Sequence, residues 1–572
     1  MNNKVYRVFA LAVVLAMLVP VTSCKDDYEA LPVEQYTIDY IFSKTDSLGT
    51  YAREYLNTVY SQMLNGHNRV GSDYLDAATD DAVSSSITVS DVQRLATGTY
   101  NAASPVSSEN LWAAFYAGIR STSTFITNID AVPMKEMIAP GISLGKAWKA
   151  EARVIRAWHY FELVKRYGGV PLMGDEVRNL GENLELPRNT FEECINYIVS
   201  ECEAAEGSLR TYPIANPQQD AHIVTREAAQ ALKIRALLYA ASPLYNGGNI
   251  DGSNPLTGYS GYDVSRWRKA AAAARQFLDN NVYFSLAPKV NDAFVTKGSP
   301  EVIFFRTDGD NTGVESRNGP IGFSGASLGA GRTSPSQNLV DAFPMIDGRP
   351  ISEGNYDPLH PYDGRDPRLD STVLHNESHW LKTSLETFER GRSKPGGNLQ
   401  QTKTGYYLRK FMGRFTNQTA YSNTPHDWIV FRYAEILLNY AEAVNEADGP
   451  TTDVYNMLTT IRDRAGILPG LDNLYGIPAG LTKEQMRTII HTERRIEMAF
   501  EEQRYWDLRR WKEAQDVMSQ PVEGMVIIKS GAVNNYNAVD VLQPKFDVRQ
   551  YFYPIPFDEV MKNSNMVQNP GW

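Results

Sequence analysis

The sequence predicts a mainly α-helical protein, and three observations support this class. Apolar residues recur every three or four positions in several long segments, which places them along one face of a helix. Small residues are frequent in these segments, as expected where short helices pack in pairs. Two short stretches, 301–306 and 549–554, have the character of strands. Together these features predict a helical-repeat body of the tetratricopeptide type with minimal β structure.

The predicted helices follow from periodicity and from start and stop signals. The segment 142–167 carries apolar residues at spacings of three and four and stops before two glycines. The segment 190–206 begins at Thr190, and Glu193 three residues later predicts a capping box. Further helices are predicted at 225–245, 265–279, 433–446, 453–464 and 482–512.

Long irregular stretches separate these helices. They are 66–108, 246–263, 306–336 and 346–425. Loops of this length inside a compact protein commonly carry function, so we expect ligand contacts to come from them.

The amino terminus predicts export and lipid anchoring. Lys4 and Arg7 precede an apolar run over 8–19, the pattern of a cleaved signal peptide. Residues 21–24 resemble a bacterial lipobox ending in Cys24, with Val21 where Leu is usual. We therefore predict a lipoprotein signal peptide at 1–23 and a lipid anchor at Cys24, with a tether over 24–47.

Charge and cysteine content exclude several classes. The net charge of −11 argues against a nucleic-acid partner and against a basic membrane patch. Cys194 and Cys202 lie eight residues apart on a predicted helix, which separates them by about 12 Å and prevents a disulfide. No disulfide framework or cysteine-based metal site is expected.

Catalytic motifs were sought and do not fit their contexts. Gly-x-Ser-x-Gly occurs at 141–145 and 325–329, but neither match follows a strand, as a nucleophile elbow requires. The carboxylates are numerous, and no pair is singled out as an acid and base. The sequence therefore predicts no catalytic residues.

Metal motifs are equally weak. His375 and His379 have the spacing of two zinc ligands on a helix, but their flanks are loop-like. The segment 308–313 begins like a calcium loop, yet its twelfth position is Gly319 instead of glutamate. We predict no metal and no cofactor, with a structural calcium ion as a minor alternative.

Several segments are more specific than periodicity. They are 156–172, 335–348, Arg365-Asp366-Pro367-Arg368, 407–411, 431–443, 493–511, Tyr553-Pro554-Ile555-Pro556 and 568–572. In this order they resemble the SusD/RagB family of outer-membrane nutrient-binding lipoproteins of the Bacteroidetes. The resemblance covers nearly the whole chain, and the acidic residues after Cys24 resemble a surface-export signal.

The resemblance implies a SusD-like fold with four tetratricopeptide-like helix pairs and long irregular ligand-binding loops. It implies an N-terminal part at 48–215 and a C-terminal part at 216–572 within one integrated unit. It also implies non-catalytic capture of a glycan at the outer membrane, with peptide as the alternative. The implied partner is a TonB-dependent outer-membrane barrel of the SusC kind, over which the lipoprotein acts as a lid.

The first ligand-binding wall is predicted in the loop before Trp112. Residues 80–82 resemble an acidic triplet of the family, and 98–101 resemble the segment in which many members place an aromatic and a polar contact. On this basis Asp81, Tyr100 and Asn101 are candidate glycan contacts. For Tyr100, an ordinary half-buried loop tyrosine is the alternative.

The second wall is predicted at 306–334. Arg317, Asn318 and Phe323 are candidates there, and Trp380 is a further candidate, for which packing on its own protein is the alternative. A sugar needs a flat aromatic face and paired hydrogen bonds, which these residue types supply. The mixed charges of 493–504 are expected to be scaffold.

Overall fold

The computed structural model describes residues 37–179, 181–214, 222–325 and 328–572. The predicted signal peptide, Cys24 and most of the tether lie outside these residues. Helices dominate and strands are short, which confirms the mainly α class.

The longer helices account for most of the regular structure. In chain order the α-helices are α1 Ile38–Ile41, α2 Thr50–Ser61, α3 Asp91–Ala96, α4 Trp112–Asn128, α5 Leu144–Tyr167, α6 Phe191–Glu206, α7 Arg226–Ala241, α8 Val264–Asn280, α9 Asp292–Val295, α10 Gly313–Asn318, α11 Gln337–Ala342, α12 Arg368–Thr372, α13 Tyr433–Asp448, α14 Thr452–Ala465, α15 Lys483–Glu497, α16 Gln503–Arg510, α17 Ala514–Val517 and α18 Phe557–Lys562. Short 3₁₀-helices are Leu75–Ala78, Ser107–Glu109, Ile129–Ala131 and Val548–Tyr551.

The strands form two-stranded antiparallel sheets. They are β1 Ala82–Ser84, β2 Met137–Ala139, β3 Ile142–Ser143, β4 Val302–Arg306, β5 Asp310–Asn311, β6 Thr333–Pro335, β7 Val373–Leu374, β8 His379–Trp380, β9 Thr383–Ser384, β10 Tyr407–Leu408, β11 Thr424–Pro425, β12 Trp428–Arg432, β13 Val522–Ser530 and β14 Val533–Leu542. The pairs are β1–β6, β2–β3, β4–β12, β5–β11, β7–β10, β8–β9 and β13–β14.

The helices α4 to α8 pack each on the next, and α8 then packs on α13. Helix α13 also contacts α7, α14 and α15, so this one helix joins the end of the array to the carboxy-terminal helices. The close approach of α4 to α5 depends on Gly118, where a Cβ would lie 2.4 Å from Nε2 of His159. Tetratricopeptide-like pairing is compatible with this order and stays a prediction.

The helix ends follow the predicted signals. Thr190 and Glu193 form the expected capping box at the start of α6. The hydroxyl of Ser143 accepts a hydrogen bond from the backbone of Lys146 at the start of α5. Ser143 is the serine of the first Gly-x-Ser-x-Gly match. The prediction that no strand precedes this match is wrong, because the short pair β2–β3 leads into it, but the hydroxyl of Ser143 is used as a helix cap.

The helix predicted for 482–512 is interrupted. Between α15 and α16, Phe500 and Glu502 have φ angles of 64° and 58°. This left-handed backbone is costly for residues other than glycine. The backbone N–H of Phe500 donates to the buried carboxylate of Asp76 at 2.9 Å. The prediction of one continuous helix is wrong, because this turn is set by a distant contact and not by local sequence.

The strand predictions were half right. Strand β4 confirms the prediction for 301–306, whereas 549–554 begins in a 3₁₀-helix. The longest sheet, the hairpin β13–β14, was not predicted. Most of β14 is exposed, so it lacks the apolar alternation that reveals a half-buried strand.

The main hydrophobic core is continuous from Phe42 to Met566. The predicted division at 215–216 falls in a segment outside the described residues and stays a prediction. Cys194 and Cys202 are both buried and free, as predicted. In the described part of the chain, no helix has the length and apolar character needed to cross a membrane.

A buried network of charges joins the segments around α15. Arg432 contacts Glu301, Glu497 and Glu501 at 2.6–2.7 Å. Burial alone would raise the pKa of Glu501, but Arg432 and a neighbouring lysine hold it below its usual range. The network extends through Arg464 to Glu301 and Glu497, through Arg368 to Asp366, Glu493 and Glu497, through Arg462 to Glu493 and through Lys410 to Glu501.

Removing the centre of this network should destabilise the fold. Arg432→Met leaves three carboxylates without their shared cation, so we expect a loss of about 3–5 kcal/mol in the free energy of unfolding. Arg268→Met is the matched control, because its ion pair with Asp448 is more than half exposed, and it should cost about 1 kcal/mol or less. Chemical denaturation of both variants measures the difference, and equal losses would contradict the prediction.

Candidate functional site

The two loops predicted to form ligand walls meet in one strand pair. Strand β1, in the first loop, pairs antiparallel with β6, at the end of the second. Beyond the pair, the backbone N–H of Ser85 donates to the carbonyl of Arg332 at 2.8 Å. The side chains of Ile87 and Val89 then face solvent, 63% and 79% exposed.

The side chain of Arg332 joins three loop segments. Its guanidinium donates to the carbonyl of Gly71 at 2.8 Å and to the carboxylate of Asp73 at 3.1 Å. It also contacts Gln400 at 3.4 Å, and the Gln400 amide donates to the carbonyl of Ala330. Burial raises the pKa of Asp73 to about 6, so at neutral pH Asp73 is charged and pairs with Arg332.

The surface supported by Arg332 is here named the loop face. It comprises the exposed parts of residues 86–90, 316–325, 328–332 and 390–400. Arg317 is exposed at the end of α10, and Phe323 is half-buried. The guanidinium of Arg392 lies over the Phe323 ring at 5.1 Å and donates to the carbonyl of Ser384 at 2.8 Å. Arg317 and Phe323 are thus both accessible to solvent. The prediction of Asn318 as a ligand contact is wrong, because it is fully buried and its amide donates to the side chain of Asn68.

Asp81 is not on that surface. It is fully buried, and its carboxylate accepts from Arg495 at 2.6 Å. Its neighbour Asp80 binds both Arg495 and Arg504, and although burial opposes ionisation, these two arginines hold the pKa of Asp80 at about 2. The prediction of Asp81 as a ligand contact is corrected: the acidic triplet anchors its loop to α15 and α16.

Tyr100 is also buried, at 5% exposure. Its ring packs against Trp572 and Tyr553, with centroids 5.3 and 6.0 Å away. It therefore holds the carboxy-terminal segment and offers no exposed stacking face, which corrects its prediction as a ligand contact. Asn101 is exposed, and its side-chain oxygen accepts from the backbone of Ser104, which closes a local turn.

Trp380 is 3% exposed. Its indole N–H donates to the hydroxyl of Tyr421 at 3.2 Å, and its ring packs edge-on against Phe415. Arg409 covers the ring at 5.4 Å. The prediction of Trp380 as a ligand contact is corrected, because all of these partners belong to its own chain.

The candidate metal motifs have structural partners. His375 lies 3.0 Å from Asp370 and stacks on Tyr362. The segment that begins like a calcium loop forms a turn at 308–309. The carboxylate of Asp427 holds this turn by accepting from the backbone N–H groups of Asp308 and Gly309. Within the described residues, no group of three or more His, Cys, Asp or Glu side chains is placed to hold a metal ion. The absence of a cofactor stays a prediction.

Arg332 and Arg392 were missed by the sequence reasoning. Both stand in loops, where helical or strand periodicity carries no information. For Arg392, the cluster of basic residues at 390–394 was the available sequence signal. It did not indicate which arginine of the cluster contacts an aromatic ring.

The loop face has the groups that a polar ring-shaped ligand requires. Phe323 and the Arg392 guanidinium are flat groups that can stack on an apolar ring face. Arg317 supplies paired donors on the same surface. The negative charge of Asp73 is balanced by its ion pair with Arg332. The charged groups that the loop face exposes are therefore mainly hydrogen-bond donors.

Two family models match consecutive parts of the chain. A model described as "Starch-binding associating with outer membrane" matches residues 33–237, and the SusD family model matches 300–572. Two proteins of Formosa agariphila are similar in sequence. SusD-like protein P2 is 24% identical over 81% of this chain and 80% of its own, and SusD-like protein P38 is 22% identical over 72% and 74%.

Solved structures share the fold. A SusD-like protein from Bacteroides fragilis has a TM-score of 0.76 at 23% identity and covers 94% of this chain and 100% of its own. A SusD-like carbohydrate-binding protein from the same species has a TM-score of 0.71 at 22% identity, with 91% and 99% covered. A laminarin-binding SusD-like protein has a TM-score of 0.62 at 21% identity, with 91% and 99% covered.

The buried position of Tyr100 predicts a stability effect. Tyr100→Ala removes a ring from the core, and we expect a loss of about 3–5 kcal/mol in the free energy of unfolding. Tyr262→Ala, at a tyrosine that is 59% exposed, should change it by about 0.5 kcal/mol or less. Denaturant titration distinguishes them, and an unchanged midpoint for Tyr100→Ala would contradict the burial argument.

Proposed function

Since this chain belongs to the SusD/RagB family, we propose that it binds an oligo- or polysaccharide at the cell surface and delivers it to a transporter in the outer membrane. The observation that carries the proposal is the loop face, where the Phe323–Arg392 pair and exposed Arg317 belong to loops that contact one another.

Stacking and paired hydrogen bonds make this surface suited to sugar. A pyranose presents C–H groups on its face and hydroxyls on its edge. An aromatic ring excludes water from the C–H face, and guanidinium groups form hydrogen bonds with the hydroxyls. The exposed apolar side chains of Ile87 and Val89 widen the area that a sugar chain can cover. Affinity should be modest, because ordering a flexible chain offsets much of the contact energy.

The names of similar proteins support the ligand class. One structural neighbour is a laminarin-binding protein and another a carbohydrate-binding protein, while one matching family model is named for starch. These names describe the ligands of those proteins. For this chain, they suggest that glucans should be the first ligands tested.

Binding without catalysis is part of the proposal. Two buried carboxylates of the first loop are engaged by cations: Asp73 by Arg332, and Asp80 by Arg495 and Arg504. A glycosidase needs two carboxyl groups that converge on one bond, with one of them free to donate a proton. The arginine-bound carboxylates lack that freedom.

Anchoring and delivery complete the proposal. Acyl chains on Cys24 would hold the protein at the outer membrane, and the polar residues that follow would let the helical body swing over a transporter. The partner we propose is a TonB-dependent barrel of the SusC kind, on the strength of family membership. The family model description that names the outer membrane supports the location.

The glycan proposal is tested with purified residues 25–572. Laminarin, starch and other polysaccharides are screened by affinity electrophoresis, and hits are titrated by calorimetry. We expect Phe323→Ala to weaken the binding of a hit by roughly fivefold, since aromatic stacking contributes about 1 kcal/mol. Arg317→Ala should weaken it similarly, through lost hydrogen bonds.

The control is Phe557→Ala, which removes a half-exposed phenylalanine of α18 that lies outside the loop face. It should leave affinity unchanged. Binding of casein-derived peptides together with no binding of any glycan would contradict the proposal and favour the peptide alternative.

The anchor is tested in cells. Cys24→Ala removes the site of acylation, so we expect the protein to leave the outer-membrane fraction and appear in soluble fractions. Fractionation followed by immunoblotting measures the distribution. A variant that still sediments with outer membranes would show that something other than Cys24 is the main anchor.

A further inference from the structure

A cavity of about 520 Å³ lies away from the loop face, against the β4–β12 pair. Phe305 lies opposite Ile429 in this antiparallel pair. Thr307 comes two residues after Phe305 and Asp427 two residues before Ile429, so both lie at the same end of the pair. Alternate residues of a strand point to the same face, so these four side chains line the cavity together. The volume is within the usual range of small-molecule sites.

Aromatic rings form a second side of the cavity, beside the β4–β12 pair. The rings of Tyr212 and Tyr283 stack with centroids 4.9 Å apart and planes 28° apart. Phe284 packs edge-on against Tyr212 from behind, with centroids 4.8 Å apart. Tyr283 remains 39% exposed, so a flat ring whose position is set by its neighbours borders the cavity.

The polar groups of the cavity include a carboxylate and an ammonium. Asp427 accepts from the Thr307 hydroxyl at 3.1 Å and from the backbone N–H groups of Asp308 and Gly309 at 2.9 and 3.4 Å. All three bonds fall on Oδ1, which leaves Oδ2 to accept from a ligand. Lys297 lines the rim, where it is 65% exposed and pairs with an exposed aspartate.

We propose that this cavity is a second binding site, for an uncharged sugar ring. The ring would stack on Tyr283, and its hydroxyls would donate to Asp427 and accept from Lys297. Lys297 is already paired with Asp310 at the rim, so the carboxylate of Asp427 disfavours phosphate and other anions. The inference rests on the proposed function for its ligand class, but it uses none of the loop-face residues.

A second site that uses none of the loop-face residues affects how tightly a polysaccharide binds. Two sites on one chain can hold two parts of a polysaccharide, and the second contact then forms at a high effective concentration. A long glucan should therefore bind more tightly than a short one that reaches a single site.

The experiment uses residues 25–572 and two probes, laminarihexaose and maltohexaose, in calorimetric titrations. We expect Tyr283→Ala to weaken one binding event by roughly fivefold and to leave the event that depends on Phe323 unchanged. Asp427→Asn keeps the oxygen that accepts the three turn bonds and removes the charge, so it should weaken the same event by a similar factor. Circular dichroism checks that both variants are folded.

Phe557→Ala is again the control and should bind like the wild type. If the wild type binds a hexasaccharide and both Tyr283→Ala and Asp427→Asn bind it with unchanged affinity and stoichiometry, the second site is overturned and the proposed function stands. If the wild type binds neither probe nor any glycan of the screen, the proposed function itself fails, and the second site with it.

Discussion

The buried ion pairs around Glu497 are the constraint on which the rest of the structure depends. In the described part of the chain, Arg368, Lys410, Arg432, Arg462 and Arg464 meet Glu301, Asp366, Glu493, Glu497 and Glu501 in one network of balanced charge. Charges this deep are tolerated only when each is paired and hydrogen-bonded. The network therefore accepts one arrangement of the helices and strands that carry it and penalises others.

The residues around the turn between α15 and α16 also determine the position of the loop face. The turn after α15 presents the N–H of Phe500 to Asp76, and Arg495 and Arg504 bind the next two acidic residues. These contacts hold the start of β1. Strand β1 pairs with β6, and Arg332 then fixes the surrounding loops. Long irregular loops are thus held by a chain of buried polar contacts that begins in the helical core.

Aromatic residues show why a site is hard to read from composition. Tyr100 and Trp380 stand in polar loops, the usual setting of a ligand contact, yet both are buried against other aromatic rings of the chain. Phe323 stands in a similar loop and is half-buried under an arginine. Local sequence does not distinguish these cases, because burial depends on segments that lie tens to hundreds of residues away in the sequence.

The sequence by itself determined the helical class, most helix boundaries, the free cysteines and the family, because periodicity, caps and ordered motifs are local signals. It also indicated the two loops that meet at β1 and β6 and placed Arg317 and Phe323 among the candidates. Only the tertiary structure decided that Asp81, Tyr100 and Trp380 are scaffold, that the helix at 482–512 breaks, and that Tyr283 and Asp427 share a cavity. These outcomes depend on pairing between distant segments, where desolvation and charge balance select one arrangement that no local pattern records.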